Sequence, residues 1–79
     1  MKRFTYRVHV GPTAVEQTAA QLDATGRLAK RVMRGTEHVH VSIDTMTQDA
    51  AYLDMLTTFE VAGLYRPRLQ FLHARDPEA

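Results

Sequence analysis

Apolar and polar residues alternate most regularly in the stretch Glu37–Asp44, Glu-His-Val-His-Val-Ser-Ile-Asp. Successive side chains of a strand point to opposite faces of its sheet, so this alternation predicts a strand with one buried and one wet face. The three apolar residues fall on the buried face, whereas His38, His40 and Ser42 fall on the wet face. We expect this strand to lie in the centre of a sheet, with two histidines exposed on it.

Two further stretches show the same period. The first strand is expected over residues 3–10, where Gly11-Pro12 ends it, and the last strand is expected from Pro67 onward. Because side chains alternate, His73 is predicted to share the core face of the last strand. The residues predicted to face the core in these two strands are Phe4, Tyr6, Val8 and Val10 in the first and Leu69 and Phe71 in the last.

Helical spacing predicts a first helix after Gly11-Pro12. Thr13 and Glu16 have the spacing of a capping box, in which each side chain bonds the other residue's backbone N–H. The helix is expected to end near Ala24 or Thr25, before Gly26. Its predicted buried side consists of Val15, Ala19 and Leu22.

A second helix is predicted between the central strand and the last strand. Thr45 or Thr47 can cap its start, and Gly63 is placed to end it. Met55 is expected to fill the core, whereas Met46 could lie in an exposed patch. The predicted buried stripe consists of Tyr52, Leu53, Leu56 and Phe59.

The segment Arg27–Arg34 is predicted to form a hairpin with the central strand. Gly35-Thr36 suits a two-residue loop, which would pair Arg34 with Glu37 and Val32 with Val39. In that register Lys30 would point toward the core, together with Leu28 and Val32. An inward-pointing charge is a device that blunts an edge strand, so we place this strand at the edge of the sheet.

The predicted order is strand, helix, strand, strand, helix, strand. Both crossovers are long enough to join parallel neighbours by the usual right-handed route. The layout resembles the α+β ferredoxin-like fold βαββαβ, which implies an antiparallel sheet of order 4-1-3-2 with both helices on one face. We expect a single domain over residues 1–79, with a frayed tail at 75–79.

Composition narrows the classes of function. The 79 residues carry a formal net charge of +1 and no cysteine, so disulfides and thiolate sites are excluded. A chain of this length forms a thin core with little room for an internal active site. The sequence contains no apolar run near 18 residues, which favours a cytoplasmic protein without a membrane anchor.

Sorting the charges onto the predicted sheet gives a basic face without carboxylates. Such a face attracts anionic partners, although a solvated sheet face also collects polar and basic residues without any partner. The residues expected on this side, away from the helices, are Thr5, Arg7, His9, Ala29, Arg31, Met33, His38, His40, Ser42, Arg68, Gln70 and Leu72.

Nucleic acid is one candidate partner for an open four-stranded sheet. RNA-recognition modules of this topology stack bases on aromatic residues of the central strands. Here Phe4, Tyr6 and Phe71 all have core parity. Docking on the acidic surface of a protein or ribonucleoprotein complex is therefore preferred, with arginine suited to contacts with carboxylates.

The histidines offer a second alternative, a metal site. His38 and His40 share a strand face, and His9 is expected beside them on an adjacent parallel strand. Three imidazoles could bind zinc, but Arg7 and Arg31 nearby oppose a dication. No nucleophile, base and acid can be placed together, so we expect neither an enzyme nor a cofactor, and we keep a small-ligand or metal-binding dimeric ferredoxin-like domain as an alternative.

The sequence therefore predicts a non-enzymatic binding protein, monomeric or homodimeric, that meets one macromolecular partner. In size, autonomy and absence of catalytic groups it resembles the small inhibitor proteins of phages and mobile elements, of the anti-CRISPR type. That resemblance implies a CRISPR surveillance complex as the partner and a block of its DNA binding. The residues predicted to bind the partner are Arg7, His9, Arg31, Arg34, His38, His40, Arg68 and Gln70.

Overall fold

The computed structural model describes residues 1–26, 31–64 and 67–77. The predicted order of strands and helices is confirmed. The expectations for Leu28, Ala29 and Lys30, including the edge device, and for the tail beyond residue 77 lie outside the described residues. The elements are β1 (Lys2–His9), α1 (Val15–Ala24), β2 (Arg31–Arg34), β3 (His38–Thr45), α2 (Gln48–Val61) and β4 (Leu69–Arg75).

The four strands form one antiparallel sheet in the order β2-β3-β1-β4. The predicted order, 4-1-3-2, lists the same neighbours from the opposite edge. The expected parallel pairing beside β3 is wrong, since β1 and β3 run antiparallel. The α+β class is confirmed, and the arrangement is compatible with a ferredoxin-like fold.

The core lies between one face of the sheet and the two helices. Phe4, Tyr6 and Val8 of β1 pair with Ile43, Val41 and Val39 of β3, and all six side chains are buried. Val15 and Leu22 of α1 and Met55 and Phe59 of α2 complete the same cluster. Burying an aliphatic or aromatic side chain of this size contributes roughly 1.5–3 kcal/mol, so this cluster is the main source of stability.

The start of α1 differs from the prediction. The residue at the cap is Ala14, and no side chain bonds the first-turn N–H groups there. Gly11, with φ of 84°, turns the chain so that its carbonyl accepts from the Ala14 N–H at 3.3 Å. This turn places Thr13 before the helix, so the capping box is wrong. The predicted end is confirmed, because Thr25 is the C-terminal cap.

In α2 the cap is Thr47, one of the two predicted, and the predicted core positions of Phe59 and Met55 are confirmed, whereas those of Tyr52 and Leu53 are wrong. The Thr47 hydroxyl accepts from the Ala50 N–H at 3.1 Å. The helix buries Ala51, Met55, Thr58 and Phe59, whereas Tyr52 and Leu53 are 43% and 63% exposed and Leu56 is half-buried. Small Ala51 and Thr58 let the helix approach the sheet closely on the side that carries Met55.

No described helix is long and apolar enough to cross a bilayer. The longer one, α2, has 14 residues. At about 1.5 Å per residue it is shorter than the roughly 30 Å hydrocarbon core.

The hairpin between β2 and β3 has a register two residues away from the predicted one. Arg34 pairs with Val39 and Val32 with Val41. The Gly35 N–H donates to the His38 carbonyl at 2.8 Å, so the pairing continues and Thr36 and Glu37 form a two-residue loop. The carbonyl of Glu37 accepts instead from the N–H groups of Val10 and Gly11, at 3.0 and 3.1 Å. Because the shift is even, Val32 and Met33 keep their predicted faces.

An irregularity in the pairing of β4 with β1 changes the face of the sheet on which the residues after Leu72 lie. Phe71 pairs with Tyr6, but His73 pairs with the next residue along β1, Thr5, so Leu72 is an extra residue in β4. His73 therefore shares the face of Thr5 rather than the core face, which corrects its prediction, and Leu72 falls at the irregularity rather than in the regular alternation. The strand begins at Leu69 rather than Pro67 and continues through Arg75, a residue expected in the tail.

Candidate functional site

The open face is the side of the sheet away from α1 and α2. Antiparallel pairing there sets His9 opposite His38, Arg7 opposite His40 and Thr5 opposite Ser42. Cross-strand partners share a face at close range, so these side chains form one continuous surface. The alternation in the sequence predicts that these side chains share a face. The strand that carries His9 was, however, expected to run parallel to β3.

Arg7 lies on the open face, on the central strand β1. Its Nε and Nη2 atoms donate to the Oε1 atom of Gln70 on β4, at 3.1 and 2.6 Å. Gln70 is neutral, so the contact orients the guanidinium without neutralising its charge. Within the described part of the chain, Arg7 forms no ion pair with a carboxylate.

Three histidines surround this arginine. The rings of His9 and His38 meet edge to face, with centroids 4.9 Å apart. The pKa of His38 is lowered, first by desolvation of its ring and then by the positive charges of Arg7 and His9. Glu37 acts in the opposite direction. The positive charges at this end of the open face therefore account for part of the lowering, after desolvation.

The middle of the open face is polar but buried. The hydroxyls of Thr5 and Ser42 are 2.8 Å apart, and both residues are less than 10% exposed. His73 lies opposite Thr5 on the other side. Its Nδ1 atom is buried without a hydrogen-bond partner among the described residues. This row separates the electropositive end from the opposite end of the sheet.

At that opposite end the open face carries an acid, so the expected absence of carboxylates is wrong. Asp44 pairs with Arg3 across β1 and β3 and accepts two hydrogen bonds from its guanidinium, at 2.9 and 3.2 Å. The hydrogen bond to Asp44 raises the pKa of Arg3. Asp44 offsets the charge of Arg3 in this way, while Arg75 lies opposite Arg3 on β4. The basic surface around Arg7 lies at the other end of the open face.

The remaining predicted arginines do not all join this surface. Arg34 lies on the helix side, where it bonds Glu16 at 3.1 Å and Asp23 at 3.4 Å, so its placement with the other partner-binding residues is wrong. Arg68 is exposed just before β4 and lines the same cavity as His9. Position 31 pairs with Ser42, but the Arg31 side chain lies outside the described part of the structure.

The histidines do not assemble a metal site. In residues 1–26, 31–64 and 67–77, no three His, Asp or Glu side chains group in a way that could hold an ion. His40 lies opposite Arg7, and a cation beside the ring disfavours binding of a dication there. The metal alternative for His9, His38 and His40 therefore has no geometric support.

A second surface, beside α2, was not predicted from the sequence. A groove of about 460 Å³ runs between α2 and β4, next to exposed Tyr52 and Leu53. The signal was present, because α2 carries apolar residues on two adjacent faces, and only one of these can face the core. The residues lining the groove are Tyr6, Gln48, Asp49, Tyr52, Leu53, Leu69 and Phe71.

Comparisons with models of protein families, with curated proteins and with solved structures found no match to this chain.

Proposed function

We propose that the protein is a non-enzymatic binding protein that docks on an acidic surface of a protein or ribonucleoprotein partner. The contact is made by the binding centre, which we define as Arg7, His9, His38, His40 and Gln70. One observation carries the proposal: the Arg7 guanidinium is fixed by a neutral amide in an electropositive setting. A fixed, uncompensated cation is suited to meeting an anion.

The geometry of Arg7 favours carboxylates on the partner. Gln70 occupies two of the five N–H donors of the guanidinium, and planar arginine binds carboxylates through pairs of parallel hydrogen bonds. Because Gln70 already restricts the side chain, less rotamer entropy is lost on binding than for a mobile arginine.

We prefer a protein surface to nucleic acid as the partner because the aromatic residues of the sheet do not lie in the binding centre. Phe4 and Tyr6 are in the core, and Phe71 pairs with Tyr6 on the same side of the sheet. Among the described residues, the binding centre therefore offers imidazoles and a guanidinium but no Phe or Tyr platform for stacked bases. Contacts to phosphate alone would be weak and strongly dependent on salt.

The resemblance in size and layout to anti-CRISPR inhibitors suggests one such partner. In that form of the proposal, the binding centre covers an acidic surface of a CRISPR surveillance complex and blocks its binding to DNA. The proposal of an acidic docking partner does not depend on this identity.

Affinity capture from lysate of the native host tests the proposal. Immobilised wild-type protein is compared with Arg7→Glu and with the matched control Arg34→Gln, which removes an arginine from the helix side. We expect a partner that wild type and the control retain and that Arg7→Glu loses. Equal retention by Arg7→Glu would overturn the proposed site.

A binding assay with single-stranded oligonucleotides separates the two classes of partner. We expect no binding even at low salt. Binding that depends on Arg7 and weakens steeply as salt is added would instead identify a nucleic-acid-binding module.

A further inference from the structure

The histidines of the chain are concentrated in the binding centre. Three of the four histidines in the sequence belong to it, namely His9, His38 and His40. The fourth, His73, lies opposite Thr5, outside the binding centre. Imidazole is the side chain whose charge ordinarily changes between about pH 5 and 8, whereas arginine stays charged throughout that range. The positive charge that the binding centre presents to a partner therefore depends on pH.

The three imidazoles lie close to one another and to a fixed cation. The rings of His9 and His38 meet edge to face, with centroids 4.9 Å apart. His40 lies opposite Arg7 in the pairing of β1 with β3. Each protonation therefore places a positive charge beside groups that are cationic or can become so, which is unfavourable as long as no anion is bound.

The groups around His38 disfavour its charged form in the free protein. Desolvation is the largest cause of its lowered pKa, and the charges of Arg7, His9 and His40 lower the pKa further. Among the described residues, Glu37 is the one group that raises it. Glu37 is exposed, so water screens its charge.

The flanking strands add no acid to this part of the open face. The sequences of β2 and β4, Arg-Val-Met-Arg and Leu-Gln-Phe-Leu-His-Ala-Arg, contain neither Asp nor Glu. On β2 the residue opposite His40 is uncharged Met33. Beside β4, exposed Arg68 lines the same cavity as His9, and Gln70 is neutral. Carboxylates that stabilise the charged imidazoles must therefore come mainly from a partner.

We propose that the histidines of the binding centre regulate docking by pH, so that affinity for the acidic partner rises as the pH falls from about 7.5 to about 6. The regulation rests on the proposed function, because the carboxylates that contact Arg7 also lie beside the imidazoles. A carboxylate next to an imidazole favours its charged form, so binding takes up protons.

Proton linkage sets the size of the expected effect. A ligand that binds the protonated form more tightly gains affinity as the pH falls through the imidazole pKa. If the partner raises the pKa of one imidazole by about one pH unit, the gain between about pH 7.5 and about pH 6 is roughly fourfold. Further imidazoles that take up protons increase the gain.

Fluorescence anisotropy with a labelled polyaspartate peptide at low salt tests the regulation. Aspartate ordinarily stays ionised at about pH 6, so a change in affinity above that pH comes from the protein. We expect wild type to bind roughly fourfold more tightly at about pH 6 than at about pH 7.5. The triple variant His9→Gln, His38→Gln, His40→Gln is expected to lose this gain. The matched control His73→Gln, which removes the histidine outside the binding centre, is expected to keep it.

Circular dichroism verifies that each variant is folded, and a second measurement needs no variant. In an NMR titration of wild type, we expect the pKa of His38 to be higher with polyaspartate bound than without it. Equal affinity at both pH values, or the same gain in the folded triple variant, would overturn the regulation and leave the proposed function standing. Absence of binding at either pH would overturn both.

Discussion

Arg7 on the open face and Arg34 on the helix side are both arginines of the sheet, and they differ in what they contact. Arg34 donates to the carboxylates of Glu16 and Asp23, which neutralise its charge and raise its pKa. Arg7 donates to the amide of Gln70, which is neutral. The helix side therefore uses its charges within the fold, and the open face keeps a charge for a partner.

The largest expected difference between the two sides is in stability. Leu22→Ala on the helix side removes a fully buried side chain, and we expect a loss of about 2–5 kcal/mol in the free energy of unfolding. Gln70→Ala on the open face is exposed and should change that free energy by about 0.5 kcal/mol or less. Urea unfolding measures both. Similar losses would show that the binding centre is part of what stabilises the fold.

The buried hydroxyls of Thr5 and Ser42 lie at the boundary of the binding centre, and a double-mutant cycle tests whether they interact. Thr5→Val leaves the Ser42 hydroxyl buried without its partner, which should cost about 1–3 kcal/mol. Adding Ser42→Ala should recover part of that loss, because neither hydroxyl is then left unsatisfied. Strictly additive losses in this double-mutant cycle would mean that the hydroxyls do not interact.

The pKa of His38 is lowered by desolvation and, in part, by the charge of Arg7, and the second contribution can be tested. Its lowered pKa means that the unfolded chain binds this proton more tightly than the folded protein does. The contribution to stability is therefore present above the unfolded pKa of about 6.5 and is lost as pH falls below it. Arg7→Gln should raise the pKa of His38, as followed by NMR, whereas Arg34→Gln should leave it unchanged. An unaltered pKa in Arg7→Gln would contradict the assigned source of the positive potential.

The smallest expected effect concerns the ion pairs of Arg34. Its partners Glu16 and Asp23 are largely exposed, and water and salt screen such pairs. Arg34→Gln should lower the free energy of unfolding slightly at low salt and not measurably at high salt. A loss that persists at high salt would indicate that the guanidinium also stabilises the fold through packing.

The alternation of the sequence predicts the faces of β1 and β3 because a strand's side chains have a period of two. It does not predict the register, since a shift of two residues leaves every face unchanged. The hairpin illustrates this: Val32 faces the core whether it pairs with Val39 or, as observed, with Val41. The extra residue at Leu72 in β4 also has no local sequence signal, so the reversal at His73 was not predictable.

For the helices, periodicity was ambiguous where apolar residues lie on more than one side. In α2 the larger residues Tyr52 and Leu53 suggested the buried side, but close packing selected the side with Ala51 and Met55. In the candidate site, Arg7, His38 and His40 followed from alternation. The same rule separates Arg34 from them, because Arg34 shares a face with Val32, and grouping Arg34 with the partner-binding residues overlooked this.

The central claim is that the open face around Arg7, and not the helix side, attracts anions. An NMR titration of backbone amides with a polyglutamate peptide tests it most directly. We predict shifts at Arg7, His9, His38, His40 and Gln70 in wild type, their loss in Arg7→Glu and their persistence in Arg34→Gln. Shifts concentrated on α1 or around Arg34, or shifts in Arg7→Glu equal to those of wild type, would contradict the claim.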